Sequence, residues 1–194
     1  MRQTITFKEI LQEEEIKTYI KRADLSLERM GFTEHSFAHV MRVSKCAGDM
    51  LQQLGYDEHD VELARIAGYM HDIGNVINRI DHAQSGAIMA FRILDKMGMQ
   101  YEDIAKIIAA IGNHDESTAF PVSDVAAALI IADKSDVRRS RVRNADKSSF
   151  DIHDRVNYAV TENHVSLSDD RTSLILSLTL DTEISPVIEY FEIF

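Results

Sequence analysis

Six residues with metal-binding side chains occur at intervals along the chain. The adjacent pair His71-Asp72 is accompanied by four more, His39, His82, His114 and Asp133. Imidazoles and carboxylates in one set suit divalent iron, manganese or zinc, with magnesium, cobalt and nickel as alternatives, and the lack of thiolates argues against a structural zinc site. A His-Asp pair presents a nitrogen and an oxygen from one stretch of backbone, and its carboxylate can bridge two ions. The set predicts a hydrolase that uses one or two metal ions.

Asp133 is informative because of what precedes it. It follows the eight apolar residues Val125–Ala132, and a carboxylate at the end of a buried segment is costly unless it is paired or binds a cation. A lone histidine is more often a surface residue or a satisfied core residue than a ligand. The prediction therefore depends on the ordered set, whose members fall at the boundaries of predicted elements. His35 is a reserve residue that could line the same cavity as His39.

Helical spacing of apolar residues dominates the chain. Ser36 and Asp57 are predicted N-caps, Gly31 and Gly55 are predicted stops, and Gly74 with Asn75 should end the third helix. Val125–Ala132 could be a buried helix or a buried strand, and its alanines and the preceding Ser123-Asp124 favour the helix. The predicted helices are 7–30, 37–54, 58–71, 82–97, 101–111 and 124–133.

The remaining residues carry a different pattern. Residues 135–149 are polar and basic and are predicted to be a loop, followed by a short helix at 151–159. Alternation at Val165–Ser168 and Ser173–Leu180, around an Asp169-Asp170 turn, predicts a β-hairpin. A final helix at 183–194 is expected to hold Pro186 in its first turn. The fold class is thus all-α, a helical bundle with a small C-terminal β-hairpin and a final helix.

Composition limits the classes of function. The 194 residues suffice for one domain, with a core at about 36–140, N-terminal helices at 1–35 and the C-terminal elements at 150–194. A formal charge of -11 disfavours non-specific binding to nucleic acid or to anionic membranes, but it allows a small phosphorylated ligand. The single cysteine, Cys46, and the lack of a secretory signal or long apolar run predict a cytoplasmic location.

With these motifs the chain resembles the HD-domain phosphohydrolase superfamily. The resemblance runs from about Phe37 to Arg139 through the segments FAHVMRVS, AGYMHDIGN, DHAQSGA, IGNHDE and IIADKSD. The order H…HD…H…H…D is similar to the two-metal subset, and within it to bacterial diadenosine tetraphosphate hydrolases. An all-α HD-domain bundle and cleavage of a phosphoester or phosphoanhydride through a metal-bound hydroxide are what this resemblance implies.

The resemblance also implies a ligand set. His39, His71, Asp72 and Asp133 correspond to the ligands of a first metal, and Asp72 would bridge to a second ion held by His82 and His114. Many relatives carry a lysine three residues after the HD aspartate, where Asn75 stands here. An asparagine can donate a hydrogen bond to substrate but brings no charge.

Basic residues after Asp133 are candidates for the missing phosphate contact. Lys134 and Arg139 are predicted to act on the reacting phosphate, and Arg138 with Arg139 to bind substrate, since guanidinium groups match phosphate oxygens. The position of Arg139 relative to Asp133 resembles an arginine of the diadenosine tetraphosphate hydrolases. The alternative for this cluster is a solvated basic loop paired with nearby acids such as Asp136.

Three functional hypotheses remain open at this stage. The leading one is a metal-dependent phosphohydrolase acting on a nucleotide or another small phosphorylated substrate. The second is a di-iron oxygenase, as in HD-fold proteins similar to myo-inositol oxygenase. The third is a regulatory module that binds metal and nucleotide without turnover. The apolar residues of the last helix could form a homodimer surface, although packing on the domain's own core is the preferred interpretation.

Overall fold

The computed structural model describes residues 2–194, which form nine α-helices and one two-stranded antiparallel sheet. No helix within 2–194 has the length and apolar character needed to cross a membrane. The predicted fold class, mostly helical with a small hairpin and a final helix, is confirmed. The helices are α1 (Phe7–Ile10), α2 (Glu14–Arg29), α3 (Phe37–Leu54), α4 (Glu58–Met70), α5 (His82–Met97), α6 (Tyr101–Gly112), α7 (Asp124–Ser135), α8 (Ile152–Ala159) and α9 (Val187–Ile193).

The boundaries of α3 and α4 follow from local sequence. The Ser36 hydroxyl accepts a hydrogen bond from the Ala38 amide at 3.1 Å, and the Asp57 carboxylate accepts one from Asp60 at 2.9 Å. Gly55 ends α3 in the left-handed region, with φ 88°, where glycine is unstrained. Both predicted caps and this predicted stop are therefore confirmed.

The prediction of one continuous N-terminal helix is wrong. The chain breaks after α1, and α2 begins only at Glu14. Thr6 and Glu9 form a reciprocal capping box at the start of α1, and the break falls where Glu13 adopts an extended backbone conformation before α2. Ile10 and Ile16, which lie on either side of the break, are both completely buried in the main core.

The core lies where α3, α4, α6 and α7 meet, with α7 packed against the other three. The segment Val125–Ala132 is helical, as preferred from its sequence, and most of it is buried. Ile131 is 36% exposed, so the segment is buried on most of its surface but not all round. This central helix carries Asp133 in its last turn.

The C-terminal part forms a small second cluster. Strands β1 (Val160–Leu167) and β2 (Leu174–Leu180) pair across the predicted turn, and β1 is longer than expected at its N-terminal end. Val137, Val156 and Val160 are its buried centre, against which residues of β2 and α9 pack. The final helix starts after Pro186 rather than at 183, because Pro186 adopts an extended conformation with ψ 147°. The polar segment after α7 contains two single-turn 3-10 helices, at Arg139–Arg141 and Lys147–Ser149.

A close main-chain contact fixes the segment that follows α4. The helix ends at Met70, and a 3-10 helix at Ile73–Val76 packs against the start of α5. A Cβ atom added to Gly74 would lie 2.0 Å from the carbonyl oxygen of His82 and 2.5 Å from the amide nitrogen of Gly86. Only glycine lets the two segments approach this closely.

We expect Gly74→Ala to destabilise the fold by about 3 kcal/mol or more, because main-chain atoms must separate to admit the methyl group. Gly112→Ala is the matched control, since its new Cβ would meet only the Ala87 Cβ at 3.6 Å, an ordinary contact. Urea denaturation monitored by circular dichroism measures both. Equal stability of the two variants would contradict the close approach at Gly74.

Candidate metal centre

The structure brings the six predicted ligands together in one buried cluster. They come from five places in the bundle: the first turn of α3, the turn after α4, which supplies two of them, the start of α5, the turn after α6 and the end of α7. The four imidazoles are at most 3% exposed and the two carboxylate side chains at most 12% exposed. The members are His39, His71, Asp72, His82, His114 and Asp133.

Main-chain oxygens hold three of the four imidazoles. In each case Nδ1 lies within hydrogen-bond distance of the carbonyl oxygen three residues earlier: His71 with Gly68 at 2.8 Å, His82 with Arg79 at 3.0 Å and His114 with Ile111 at 2.7 Å. A carbonyl oxygen only accepts, so Nδ1 carries the proton and Nε2 presents a lone pair. Gly68 and Ile111 lie in the last turns of α4 and α6, where main-chain carbonyls lack a helical partner, and Arg79 lies in the turn that precedes α5.

The Nε2 atoms converge in pairs. His39 Nε2 lies 3.3 Å from His71 Nε2, and His82 Nε2 lies 3.2 Å from His114 Nε2. Two lone pairs cannot face each other at this distance without a proton or a cation between them. The donor arrangement therefore fits a metal ion in each half of the cluster.

Asp72 stands between the two halves. Its Oδ2 lies 3.1 Å from His71 Nε2 and 3.5 Å from His39 Nε2, and this buried oxygen has no hydrogen-bond partner within 2–194. Its Oδ1 lies 3.6 Å from His82 Nε2. An unpartnered buried carboxylate oxygen is costly unless a cation is bound to it. The two oxygens of Asp72 thus face the two halves of the cluster, and Asp133 Oδ1 lies 3.3 Å from His39 Nε2.

Electrostatics in the cluster favour a cation. Burial opposes protonation of His71, but the charge of Asp72 and a hydrogen bond with Asp133 raise the pKa of His71 to about 10. Burial and the positive charge of His71 lower the pKa of His114 to about 3. Burial favours the neutral form of Asp72, yet the charge of His71 holds the pKa of Asp72 well below its usual range. The carboxylates stay ionised, and a bound cation can replace the proton that they hold on His71.

His39 is held by a side chain instead of the main chain. Its Nδ1 donates to Asp136 Oδ2 at 2.8 Å. Asp136 Oδ1 in turn accepts from Arg138 Nε at 3.0 Å, and Arg138 also donates to Glu34 at 2.6 Å. Arg141 donates to the main-chain oxygen of Asp136 at 2.8 Å. This buried network orients the imidazole, as carboxylates commonly do for metal-binding histidines.

A cavity of about 230 Å³ opens onto the cluster. Lys134 lies in its wall, with Nζ 2.7 Å from Asp133 Oδ2 and 2.6 Å from Glu116 Oε2. Arg79, which the sequence did not single out, lies opposite, with Nη1 3.2 Å from His82 Nε2 and Nη2 3.8 Å from Glu116 Oε1. His35 also lines the cavity, as its position suggested. Arg79 stands in an irregular turn where neither periodicity nor a motif marks it.

Three residues expected to contact substrate have other partners. Asn75 is 1% exposed and donates to Asp72 Oδ1 at 2.8 Å, so it orients the bridging carboxylate instead of facing substrate. Arg138 belongs to the network that holds Asp136. Arg139 donates to the Tyr158 carbonyl oxygen at 2.6 Å and lies over the Tyr158 ring, outside the 230 Å³ cavity. Among the basic residues that follow Asp133, Lys134 and Arg141 line the wall of the cavity, whereas Arg138 and Arg139 do not.

Comparisons with known proteins identify related chains. A family profile described as HD domain matches residues 36–156. An uncharacterized protein of Methanocaldococcus jannaschii is 24% identical over 170 residues, which are 76% of this chain and 65% of that protein. Ribonuclease Y of Bacillus thuringiensis is 30% identical over 122 residues, which are 63% of this chain and 22% of that protein. The matched part is thus less than two thirds of either relative.

A solved structure has a similar fold. The crystal structure of a predicted HD superfamily hydrolase from an uncultured Thermotogales bacterium is 25% identical, with a TM-score of 0.52. The superposition covers 69% of this chain and 75% of that one.

We expect divalent metal to stabilise the protein through this cluster. Manganese at about 100 times its Kd should add about 2.7 kcal/mol, which raises Tm by roughly 5–10 °C for a chain of this size. Asp72→Ala should abolish this shift, and Asp49→Ala, which removes an acid on the far side of α3, should retain it. Differential scanning calorimetry with and without manganese provides the measurement. A full shift in Asp72→Ala would show that the metal binds elsewhere.

Asp136→Ala should weaken metal binding by about 10–100-fold, because His39 loses the acceptor that fixes its ring. Arg138→Gln is the matched control: it disturbs the same network but leaves the bond between His39 and Asp136 in place. Isothermal titration with manganese gives both affinities, and urea denaturation checks that each variant is folded. Equal losses in the two variants would assign the effect to the network as a whole.

Proposed function

The chain belongs to the HD domain family, and we propose on that basis that it is a metal-dependent phosphohydrolase acting on a nucleotide or another small phosphate ester or anhydride. The observation that carries the proposal is the pairwise convergence of four imidazole Nε2 atoms around a bridging carboxylate with an unpartnered oxygen. His39, His71, Asp72 and Asp133 would hold one ion, and Asp72, His82 and His114 a second. Bound divalent ions supply Lewis acidity and lower the pKa of a coordinated water.

The cavity offers no hydroxyl or thiol nucleophile that is activated by an imidazole. Within residues 2–194, no imidazole of the cavity is hydrogen-bonded to a serine, threonine or cysteine side chain. A serine, threonine or cysteine nucleophile is commonly activated by such a base. Attack by water is therefore the reaction type that these side chains support.

Two cations are placed to receive phosphoryl oxygens. Lys134 and Arg79 both approach Glu116, which thus lies between them. A phosphate group is negatively charged, as this carboxylate is. It can therefore replace the carboxylate between the Lys134 ammonium and the Arg79 guanidinium. Burial disfavours the charge on Lys134, but Asp133 and Glu116 raise the pKa of Lys134 above its ordinary value, so it stays charged. We assign both residues to binding the phosphoryl group and to stabilising its developing charge.

The size and charge of the cavity favour a small substrate. A volume of about 230 Å³ admits a phosphoryl group and part of its leaving group, whereas pockets that enclose whole drug-sized ligands are about 300–1,000 Å³. Ribonuclease Y acts on RNA according to its name, but this chain has a net charge of -11, which disfavours a long polyanion. We therefore propose that a nucleotide or similar small ester enters with its phosphate first, and that nucleic acid is not the substrate.

Purified protein with manganese or iron should release phosphate or nucleotide from at least one of a panel of phosphomonoesters, nucleoside diphosphates and dinucleoside polyphosphates. Removal of metal with a chelator should stop turnover, because the proposed nucleophile is a metal-bound water. Phosphate release and chromatography of nucleotides follow the reaction. Metal-loaded protein that turns over no member of the panel would contradict the proposal.

With the best substrate of that panel, Arg79→Ala should lower kcat/KM by about 100-fold, the effect of removing one charged donor from a transition state. Bound metal, measured by elemental analysis, should not fall, since Arg79 is not a ligand. Arg92→Ala, which removes an arginine from the exposed surface of α5, is the control and should leave kcat/KM unchanged. Unaltered kinetics in Arg79→Ala would remove this residue from the proposed site.

A further inference from the structure

A second and larger cavity lies on the other side of Asp136. Its volume is about 840 Å³, and it shares no lining residue with the metal cavity. Helix α3 forms one wall, strand β1 the facing wall, and the segment from the end of α7 to Ser140 the floor. Asn163 of β1 fixes this arrangement by donating to the main-chain oxygens of Ser135 and Val137. We call this cavity the β1 groove.

The charges in the β1 groove are unevenly paired. Lys45 is paired with Asp49, and Arg138 with Asp136. Arg42 on α3 and Arg139 on the floor have no carboxylate partner within 2–194, although the chain as a whole has a large excess of acids. The remaining acidic residue that lines the groove is Glu162 of β1, which accepts a hydrogen bond from Thr179 at 3.3 Å. Two arginines without a carboxylate partner therefore line a groove of an otherwise acidic protein, and the Nε of one of them, Arg139, is bonded to the Tyr158 carbonyl oxygen.

The groove also has an apolar part. Met50, Ala132, Val160 and Val165 line it between the charged ends. A volume of about 840 Å³ lies within the range of sites that enclose small organic molecules. Guanidinium groups recognise phosphate oxygens in bidentate fashion, while apolar side chains accommodate a base or another flat group. We propose that the β1 groove is a second ligand site, for an organic phosphate with a flat apolar body such as a nucleoside diphosphate, bound without metal by Arg42 and Arg139.

The test uses the full-length protein stripped of metal with a chelator, so that the metal cavity lacks its cations. ADP is the probe, and isothermal titration measures its affinity for the wild type and three variants. We expect wild type to bind ADP, Arg42→Ala/Arg139→Ala to bind at least 10-fold more weakly, and Arg79→Ala to bind as wild type does. Arg22→Ala/Arg29→Ala, which removes two exposed arginines of α2, is the matched control and should bind normally.

Two results would overturn the proposal. One is the lack of ADP binding by metal-free wild type up to millimolar concentration. The other is binding that survives in Arg42→Ala/Arg139→Ala or is lost in Arg79→Ala, since it would place the nucleotide elsewhere. Urea denaturation of the double variant establishes that it is folded. Because no metal and no turnover are involved, the outcome is independent of whether the protein hydrolyses phosphate.

Discussion

Four imidazoles and two carboxylates are buried at one point in the bundle, and the positions of the surrounding helix ends depend on how these polar groups are satisfied. Each imidazole must be held by an acceptor at Nδ1, or its Nε2 would not face inward. Three of these acceptors are carbonyl oxygens near helix ends, and the fourth is Asp136. The positions at which α4 and α6 end and α5 begins are therefore part of the site.

Much of this arrangement could be predicted from the sequence. The caps at Ser36 and Asp57, the start of α5 and the apolar run before Asp133 are local signals, and they place the ligand residues at helix boundaries. The resemblance to the HD family is confirmed, whereas the narrower similarity to diadenosine tetraphosphate hydrolases stays a prediction. The spacing of apolar residues predicts which helix faces are buried, and the six ligands come together in that buried environment.

The parts that could not be predicted depend on contacts between distant segments. Arg139 is close to Asp133 in sequence, but the chain turns after α7 and directs this guanidinium towards Tyr158. Arg79 enters the cavity from a turn with no regular pattern, and Asn75 turns inward to the carboxylate of Asp72. A charged residue near a site in sequence is thus a poor guide to which charge faces it. Asp136 is a further case of a charged residue whose role depends on contacts between distant segments, because it borders the β1 groove and also accepts a hydrogen bond from His39.

The contact at Gly74 bears on which ions the cluster can accept. Asp72 and His82 belong to the two segments that meet there, and main-chain atoms, not flexible side chains, set the separation of those segments. Ions of different radius therefore cannot be accommodated by moving the two halves of the cluster apart. Any adjustment must come from rotation of the Asp72 and Asp133 carboxylates. Ion radius therefore contributes to selectivity among metals, together with the hardness and coordination preference of the ion.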